Sequence, residues 1–101
     1  AKLPIAYSTP ELKITTTEEE KFELIAIIKK LLKKPSPTFP EIKEIIEIDG
    51  VRIRFHNGWG LVRASNTSPI LVTRFESTSE KDAKRYRASV NDLIDLAKAL
   101  I

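Results

Sequence analysis

The segment from Arg63 to Pro69 carries the side chains best suited to chemistry in this sequence. It reads Arg-Ala-Ser-Asn-Thr-Ser-Pro and places an arginine, three hydroxyls and an amide close together. Guanidinium, hydroxyl and backbone N–H donors are the groups that bind a phosphate or a carboxylate, and arginine can hold such an anion through two hydrogen bonds. Arg74, a little further along, would supply a second positive charge. A plain hairpin loop, whose Ser and Asn side chains cap their own backbone, explains the same residues equally well.

The remaining candidate residues favour less specific roles. His56 lies on an alternating segment and is expected to face solvent. Trp59, between two glycines, is more typical of a core or interface anchor than of a stacking platform for bases. Arg52 and Arg54 share one face of a predicted strand and could bind nucleic acid, but no aromatic residue is interleaved with them, so a solvated sheet face is the favoured interpretation.

Several classes of site are excluded by residues that the sequence lacks. Cysteine is absent and histidine occurs once, which excludes disulfides, thiolate nucleophiles and multi-histidine metal sites. There is no P-loop, no dinucleotide-binding glycine motif and no aspartate cluster. We therefore predict no catalytic residue and no metal site in this chain.

Length and composition predict one folded domain over residues 1–101, with 42% hydrophobic and 31% charged residues. The net charge of +3 is too small to indicate a nucleic-acid-binding protein. The longest apolar runs are only a few residues, and the first residues do not form a signal peptide, so we expect a cytoplasmic protein without a membrane span.

Residues 1–10 contain Pro4 and Pro10 and are expected to be an extended segment or linker that leads into the domain. Methionine is absent, so Ala1 is expected to follow a removed Met or a cleavage point.

The hydrophobic pattern predicts a two-layer α+β domain in the order strand, helix, four strands, helix. Thr17 and Glu20 form a capping box at the start of the first helix. Pairs typical of hairpin turns, Asp49–Gly50 and Asn57–Gly58, separate the first three strands of the central run. The predicted elements are a strand over 11–16, a helix from 17 to about 34, strands over 43–48, 51–56, 59–64 and 70–76, and a helix that follows Ser77, Thr78 and Ser79.

Both predicted helices have an apolar face that an antiparallel sheet would cover. The face of the first helix comprises Leu24, Ile27, Ile28 and Leu31, widened by Phe22, Ile25 and Leu32. The face of the second helix comprises Ala83, Tyr86, Val90, Leu93, Ile94, Ala97 and Ile101.

Three stretches of this sequence resemble the C-terminal domain of the α-D-phosphohexomutases. They are Asp-Gly-Val-Arg-Ile from Asp49, Gly-Trp-Gly-Leu-Val-Arg-Ala-Ser-Asn-Thr-Ser-Pro from Gly58, and Arg74-Phe75. The Ser-Thr-Pro-Glu segment from Ser8 is also similar to the start of that domain. The Arg-Ala-Ser-Asn-Thr string is similar to the phosphomannomutase/phosphoglucomutase branch. Phosphoglucosamine mutases usually have Ser-Gly-Thr there, so Asn66 argues against that branch.

The resemblance implies a role in a four-domain enzyme that moves a phosphoryl group between the 1- and 6-positions of a mannose or glucose phosphate. The last domain of such enzymes has a fold like that of the TATA-binding protein and binds the phosphate that is not transferred. Carried over by position, Arg63, Ser65, Asn66 and Thr67 would form the phosphate-binding loop, and Arg74 would be a further phosphate contact.

The resemblance also implies that the catalytic parts lie elsewhere. The phosphoserine, the Mg²⁺ site and the sugar-recognising loop belong to the other three domains of the family enzymes. We therefore expect the chain to be a C-terminal domain separated from them by design or by proteolysis, with no cofactor and no catalytic activity of its own. Two alternatives stay open, a phosphoglucosamine mutase domain and a freestanding nucleic-acid-binding module of the same fold.

Overall fold

The structure is a computed structural model that describes residues 7–47 and 50–101. It contains two helices and six strands. The helices are α1 (Lys21–Lys33) and α2 (Glu80–Ala99), and the strands are β1 (Tyr7–Ser8), β2 (Leu12–Thr15), β3 (Ile42–Ile46), β4 (Val51–Phe55), β5 (Gly58–Ala64) and β6 (Ile70–Ser77). Apart from β1, this is the predicted order of elements, with boundaries that differ by a few residues.

All six strands belong to one antiparallel sheet. Strands β3 to β6 form a meander in which each strand pairs with the next. The free side of β6 pairs with two short strands in succession, β2 near its start and β1 near its end. This arrangement confirms the predicted α+β class with one antiparallel sheet and two helices. The likeness to the fold of the TATA-binding protein stays a prediction.

Strand β1 falls within residues 1–10, for which the sequence predicts an extended segment or a linker. Tyr7 and Ser8 lie opposite Ser77 and Glu76. Thr9 continues this attachment, because its N–H donates to the carbonyl of Phe75 at 2.9 Å and its hydroxyl accepts from the Phe75 N–H at 3.1 Å. The end of this segment therefore pairs with the sheet, while residues 1–6 lie outside the described part of the chain.

The core lies between one face of the sheet and the two helices. In β4 the residues alternate strictly, with Val51, Ile53 and Phe55 buried and the two arginines between them exposed. The ring of Phe55 stacks on that of Tyr86 from α2 at a centroid distance of 4.2 Å. Each fully buried apolar side chain of this size contributes about 1.5–3 kcal/mol, so this helix-covered face supplies most of the driving force for folding.

Helix α1 begins at Lys21, later than the predicted start at Thr17, and it is rotated relative to the expected face. The N–H of Glu20 donates to the hydroxyl of Thr17 at 3.1 Å, which is one half of the capping box. Phe22, predicted to widen the apolar face, is 59% exposed, and Lys21 is buried in its place. The prediction for Phe22 was wrong because periodicity alone does not fix which edge of a wide apolar stripe meets the sheet.

Helix α2 is capped by Ser79, whose hydroxyl accepts from the N–H of Asp82 at 3.2 Å. The carboxylate of Asp82 also accepts from the Asn57 side chain at 3.0 Å, which ties the β4–β5 turn to this helix. The predicted buried face is confirmed from Ala83 to Ala97. Ile101 lies beyond the helix and is 45% exposed, so its predicted place on that face was wrong. Within the described ranges, neither helix has the combination of length and apolar character needed to cross a bilayer.

Candidate functional site

The candidate loop, residues 65–69, joins the end of β5 to the start of β6, as predicted. The N–H of Ser65 donates to the carbonyl of Ile70 at 3.0 Å and closes the loop at its base. At the other side, the N–H of Ile70 donates to the carbonyl of Ser68 at 2.8 Å. These bonds attach both ends of the loop to the central pair of strands, which have the longest register in the sheet.

The hydroxyl of Ser65 organises the backbone of the loop. Its oxygen accepts hydrogen bonds from the N–H groups of Thr67 and Ser68, each at 3.3 Å. This is the local capping that the plain hairpin interpretation predicts. The side chains of Asn66 and Thr67 are exposed at the tip of the loop. The structure therefore shows a self-capped loop whose outer donors face solvent, a geometry that is compatible with both interpretations.

Arg63 precedes this loop and lies on the face of the sheet opposite the helices. Its neighbour Val62 points into the core, and Arg63 is opposite Val72 on β6. Its Nη2 atom lies 3.9 Å from a carboxylate oxygen of Glu11, in a half-exposed pair. Such a pair is worth at most about 1 kcal/mol, so the guanidinium can exchange this partner for another anion at little cost.

Arg74 lies on the same helix-free face as Arg63, on the neighbouring strand. It is opposite Leu61, whereas Arg63 is opposite Val72, so the two arginines are offset by two residues along the sheet. Its Nη2 atom donates to a carboxylate oxygen of Glu76 at 3.2 Å. The structure thus groups the two predicted arginines on one face, with Arg63 adjoining the loop and Arg74 further along β6, paired with an acidic neighbour.

The turn that precedes β4 lies at the same end of the sheet as the loop. Gly50 has φ of 102°, a backbone conformation that glycine adopts easily and other residues rarely do. Asp49, the first residue of the predicted hairpin pair, lies outside the described residues. Strand β3 ends at Ile46, earlier than predicted, and its pairing with β4 shifts register between Ile42 and Glu44.

Helix α1 contributes the other wall of a shallow groove beside the loop. The groove is lined by Phe22, Ile25, Gly50, Arg63, Ala64 and Asn66. From the same helix, the ammonium of Lys21 donates to the carbonyl of Ser68 at 3.2 Å. Sequence reasoning missed Lys21, because a lysine in the first turn of an amphipathic helix ordinarily extends into solvent. The sequence carries no local signal for a contact that spans 47 residues.

The remaining candidates lie away from the loop or have other partners. The guanidinium of Arg52 stacks on the ring of Trp59 at 4.7 Å, so the adjacent strand supplies the aromatic residue that the Arg52/Arg54 face was expected to lack. Arg54 donates to the carboxylate of Glu44 at 3.2 Å. His56 is exposed, at the opposite end of β5 from the loop. In the described part of the chain, no three acidic or histidine residues form a group able to hold a metal ion.

Among the residues that the structure describes, one pKa is clearly shifted, and it belongs to a residue remote from the loop. The ammonium of Lys43 donates to a carboxylate oxygen of Glu41 at 3.0 Å. This hydrogen bond and the positive charge of Lys43 lower the pKa of the Glu41 carboxyl. This exposed pair lies at the start of β3 and contributes nothing to the loop.

The family model described as "Phosphoglucomutase/phosphomannomutase, C-terminal domain" matches residues 11–93. These residues include every strand except β1, all of α1 and most of α2, together with the whole candidate loop.

Individual relatives cover most of this chain but only a small part of their own length. A phosphomannomutase/phosphoglucomutase of Pseudomonas aeruginosa strain PAO1 is 42% identical over 84 residues, which is 83% of this chain and 17% of the relative. A phosphoglucomutase of Neisseria gonorrhoeae is 40% identical over 99 residues, which is 98% of this chain and 21% of the relative. A probable phosphoglucosamine mutase of Methanopyrus kandleri is 28% identical over 67% of this chain and 18% of the relative. The chain thus spans about a fifth of the length of the curated relatives it matches.

A solved structure has a similar fold. The crystal structure of a phosphoglucomutase/phosphomannomutase family protein from Burkholderia thailandensis superposes with a TM-score of 0.75 at 34% identity. The match covers 94% of this chain and 18% of that protein.

Proposed function

The chain belongs to the phosphoglucomutase/phosphomannomutase C-terminal domain family, and we propose that it anchors the non-transferred phosphate of a phosphohexose during 1-/6-phosphoryl transfer. The ligand is a mannose or glucose phosphate held together with the other domains of the enzyme. Arg63, Ser65, Asn66 and Thr67 form the phosphate site, and Arg74 adds a further contact. The whole enzyme is an intramolecular phosphotransferase of the isomerase class, in the cytoplasm.

The observation that carries this proposal is that different residues of the loop have different roles. The Ser65 hydroxyl accepts from two backbone N–H groups and so fixes the loop's shape. Asn66 and Thr67 are exposed at the tip, next to a guanidinium whose present partner lies 3.9 Å away. A fixed loop with exposed neutral donors and one loosely paired arginine suits a phosphate, because charge-assisted hydrogen bonds are the strong ones and little reorganisation is needed.

In this proposal the domain contributes binding and orientation, and the chemistry takes place elsewhere. Holding the phosphate at one end of the sugar places the other end at the reacting centre. Binding energy from a remote group can in this way accelerate transfer. We place the phosphoserine and the Mg²⁺, which would offset developing charge on the phosphoryl group, in the other domains.

The alternatives have weaker support. The phosphoglucosamine mutase relative has 28% identity against 40–42% for the others, and Asn66 occupies the position where that branch usually has glycine. For nucleic-acid binding, the helix-free face has Arg52 stacked on Trp59. Three of its arginines, however, have a glutamate carboxylate within 4 Å, which reduces the local positive charge.

A titration monitored by NMR tests the proposal on the 101-residue chain. Glucose 6-phosphate, mannose 6-phosphate and inorganic phosphate are added to the ¹⁵N-labelled chain at constant ionic strength. We expect progressive amide shifts at residues 63–67, with roughly millimolar affinity or weaker because only one wall of the cleft is present. Unphosphorylated glucose is the control and should leave these amides unchanged. Shifts over residues 51–56 with an oligonucleotide, and none at the loop with phosphate, would support the nucleic-acid alternative instead.

A further inference from the structure

Lys21, the first residue of α1, is almost completely buried, with 1% of its surface exposed. A buried ammonium is costly unless its charge and its hydrogen-bonding capacity are satisfied. Its neighbour Phe22 is exposed, so α1 is oriented with the lysine and not the aromatic ring toward the sheet. An apolar residue would fill this position at lower cost, which indicates that the contacts of the ammonium matter.

The ammonium of Lys21 has three neighbours. It donates to the carbonyl of Ser68 at 3.2 Å, pairs with a carboxylate oxygen of Glu18 at 3.0 Å and lies 5.2 Å from the ring centroid of Phe22. Glu18 is mostly exposed and belongs to the turn just before α1. The bond to Ser68 is therefore the contact that connects the start of α1 to the candidate loop.

Ser68 is the residue on which the hydrogen bonds of the loop converge. Its N–H donates to the hydroxyl of Ser65, and its carbonyl accepts from the N–H of Ile70. The Lys21 ammonium is a second donor to that same carbonyl. A bond that holds the Ser68 carbonyl restrains the backbone of this residue, whose N–H bonds the Ser65 hydroxyl, and so restrains the backbone that presents Asn66 and Thr67.

We propose that Lys21 is a positioning residue that holds loop 65–69 in its anion-binding conformation through the Ser68 carbonyl. The inference rests on the proposed phosphate-binding function of the loop. Lys21 acts without touching the phosphate, by reducing the conformational freedom that the loop loses on binding. Its removal weakens phosphate binding while leaving the domain folded, since replacing a buried ionic contact by an apolar side chain of similar volume is often neutral or stabilising.

The test compares the 101-residue chain with its Lys21→Met, Lys21→Arg and Lys84→Met variants. Inorganic phosphate is titrated at constant ionic strength, and the dissociation constant is taken from the amide shifts at 63–67. Lys21→Met should weaken binding about three- to ten-fold, and Lys21→Arg, which keeps a cationic donor, should recover part of it. Lys84 forms an exposed pair with Glu80 within α2 at 3.1 Å, so Lys84→Met removes the same charge without touching the loop and should bind like the parent chain.

Amide hydrogen exchange supplies a readout that does not depend on phosphate. In Lys21→Met the amides of Ser68 and Ile70 should exchange faster, while those of the β4–β5 pair keep their rates. Lys21→Gln, with a shorter polar side chain, provides the same comparison in case Lys21→Met does not fold.

The outcomes separate this inference from the function on which it rests. If the parent chain shows no phosphate shifts at the loop, the proposed function fails and this inference fails with it. If the parent chain binds phosphate and Lys21→Met binds it equally well with unchanged exchange at Ser68 and Ile70, only the positioning role is overturned. A loss of affinity equal in Lys21→Met and Lys84→Met would also overturn it, because that result reports net charge alone.

Discussion

Gly50 lies so close to Arg63 that a methyl group on Gly50 would be 2.7 Å from the Cβ atom and 2.8 Å from the Cα atom of the arginine. The same methyl group would collide with the carbonyl oxygen of Val62. The turn before β4 is therefore in direct contact with the strand end that carries the candidate phosphate ligand. Arg63 is placed by this contact as well as by its own strand pairing.

Gly50→Ala is accordingly expected to affect both stability and the candidate site. The positive φ disfavours alanine and the added carbon has no room, so we expect a loss on the order of 2–3 kcal/mol in the free energy of unfolding. Chemical denaturation measures this loss. Gly58→Ala is the matched control, because a methyl group there would meet the backbone of Ser77 at 2.7 Å at the other end of β5. Both variants should be destabilised, but only Gly50→Ala should shift the Arg63 amide. Equal shifts at Arg63 in both would contradict the local coupling.

Arg63→Ala should reduce phosphate binding much more than stability. Its ion pair with Glu11 is half-exposed, so the stability loss should be about 1 kcal/mol or less. In the whole enzyme, removal of one charged hydrogen-bonding group worth about 1.5–3 kcal/mol should lower kcat/KM roughly ten- to hundred-fold. Arg63→Lys should recover only part of the lost kcat/KM, since an ammonium lacks the planar fork of a guanidinium.

Arg54→Ala is the control for this comparison. Arg54 lies on the same face and also pairs with a glutamate, at similar exposure. Arg54→Ala should leave the dissociation constant for phosphate and kcat/KM nearly unchanged. If Arg63→Ala left phosphate binding and turnover unchanged while Arg54→Ala reduced both, the assignment of the phosphate loop would be refuted.

Glu76→Gln should strengthen phosphate binding. The carboxylate of Glu76 accepts from Arg74 at 3.2 Å and competes with any anion for that guanidinium. Removing a competing ion pair worth up to about 1 kcal/mol should tighten binding about two- to five-fold. Glu44→Gln, which releases Arg54 instead, should leave the dissociation constant unchanged. A dissociation constant that is the same in Glu76→Gln and Glu44→Gln would show that Arg74 takes no part in the site.

The 101-residue chain should show no mutase turnover. Phosphoryl transfer needs a nucleophile and a metal ion to offset the developing charge, and we assign both to other domains. An assay with mannose 1-phosphate, glucose 1,6-bisphosphate and Mg²⁺ should give the blank rate. Activity that disappears when a residue of this chain is substituted would overturn the assignment.

The sequence was sufficient to predict every described helix and strand except β1, and to predict the composition of the loop. Period-two alternation in 51–55 and helical spacing from Ala83 to Ala97 are local patterns, and each reports a face that must be buried. The turn residues of 65–69 are incompatible with a continuous strand, so the break between β5 and β6 could be placed from residue types alone. The Arg-Ala-Ser-Asn-Thr string could be recognised for the same reason, since the candidate phosphate-binding residues lie within five consecutive positions of the chain.

Only the tertiary structure decided which distant residues meet at that loop. Sheet order and register bring Gly50 against Arg63, Glu11 near its guanidinium and Lys21 beneath Ser68. A periodic pattern indicates that a residue is buried or exposed but not what it faces. For Phe22 even the exposure was misassigned, and the burial of Lys21 was not predicted. The rotation of α1 is set by packing of the whole helix on the sheet, together with a hydrogen bond across 47 residues. Contacts of that kind form only once the whole sheet and its helices have assembled, because no local segment contains both partners.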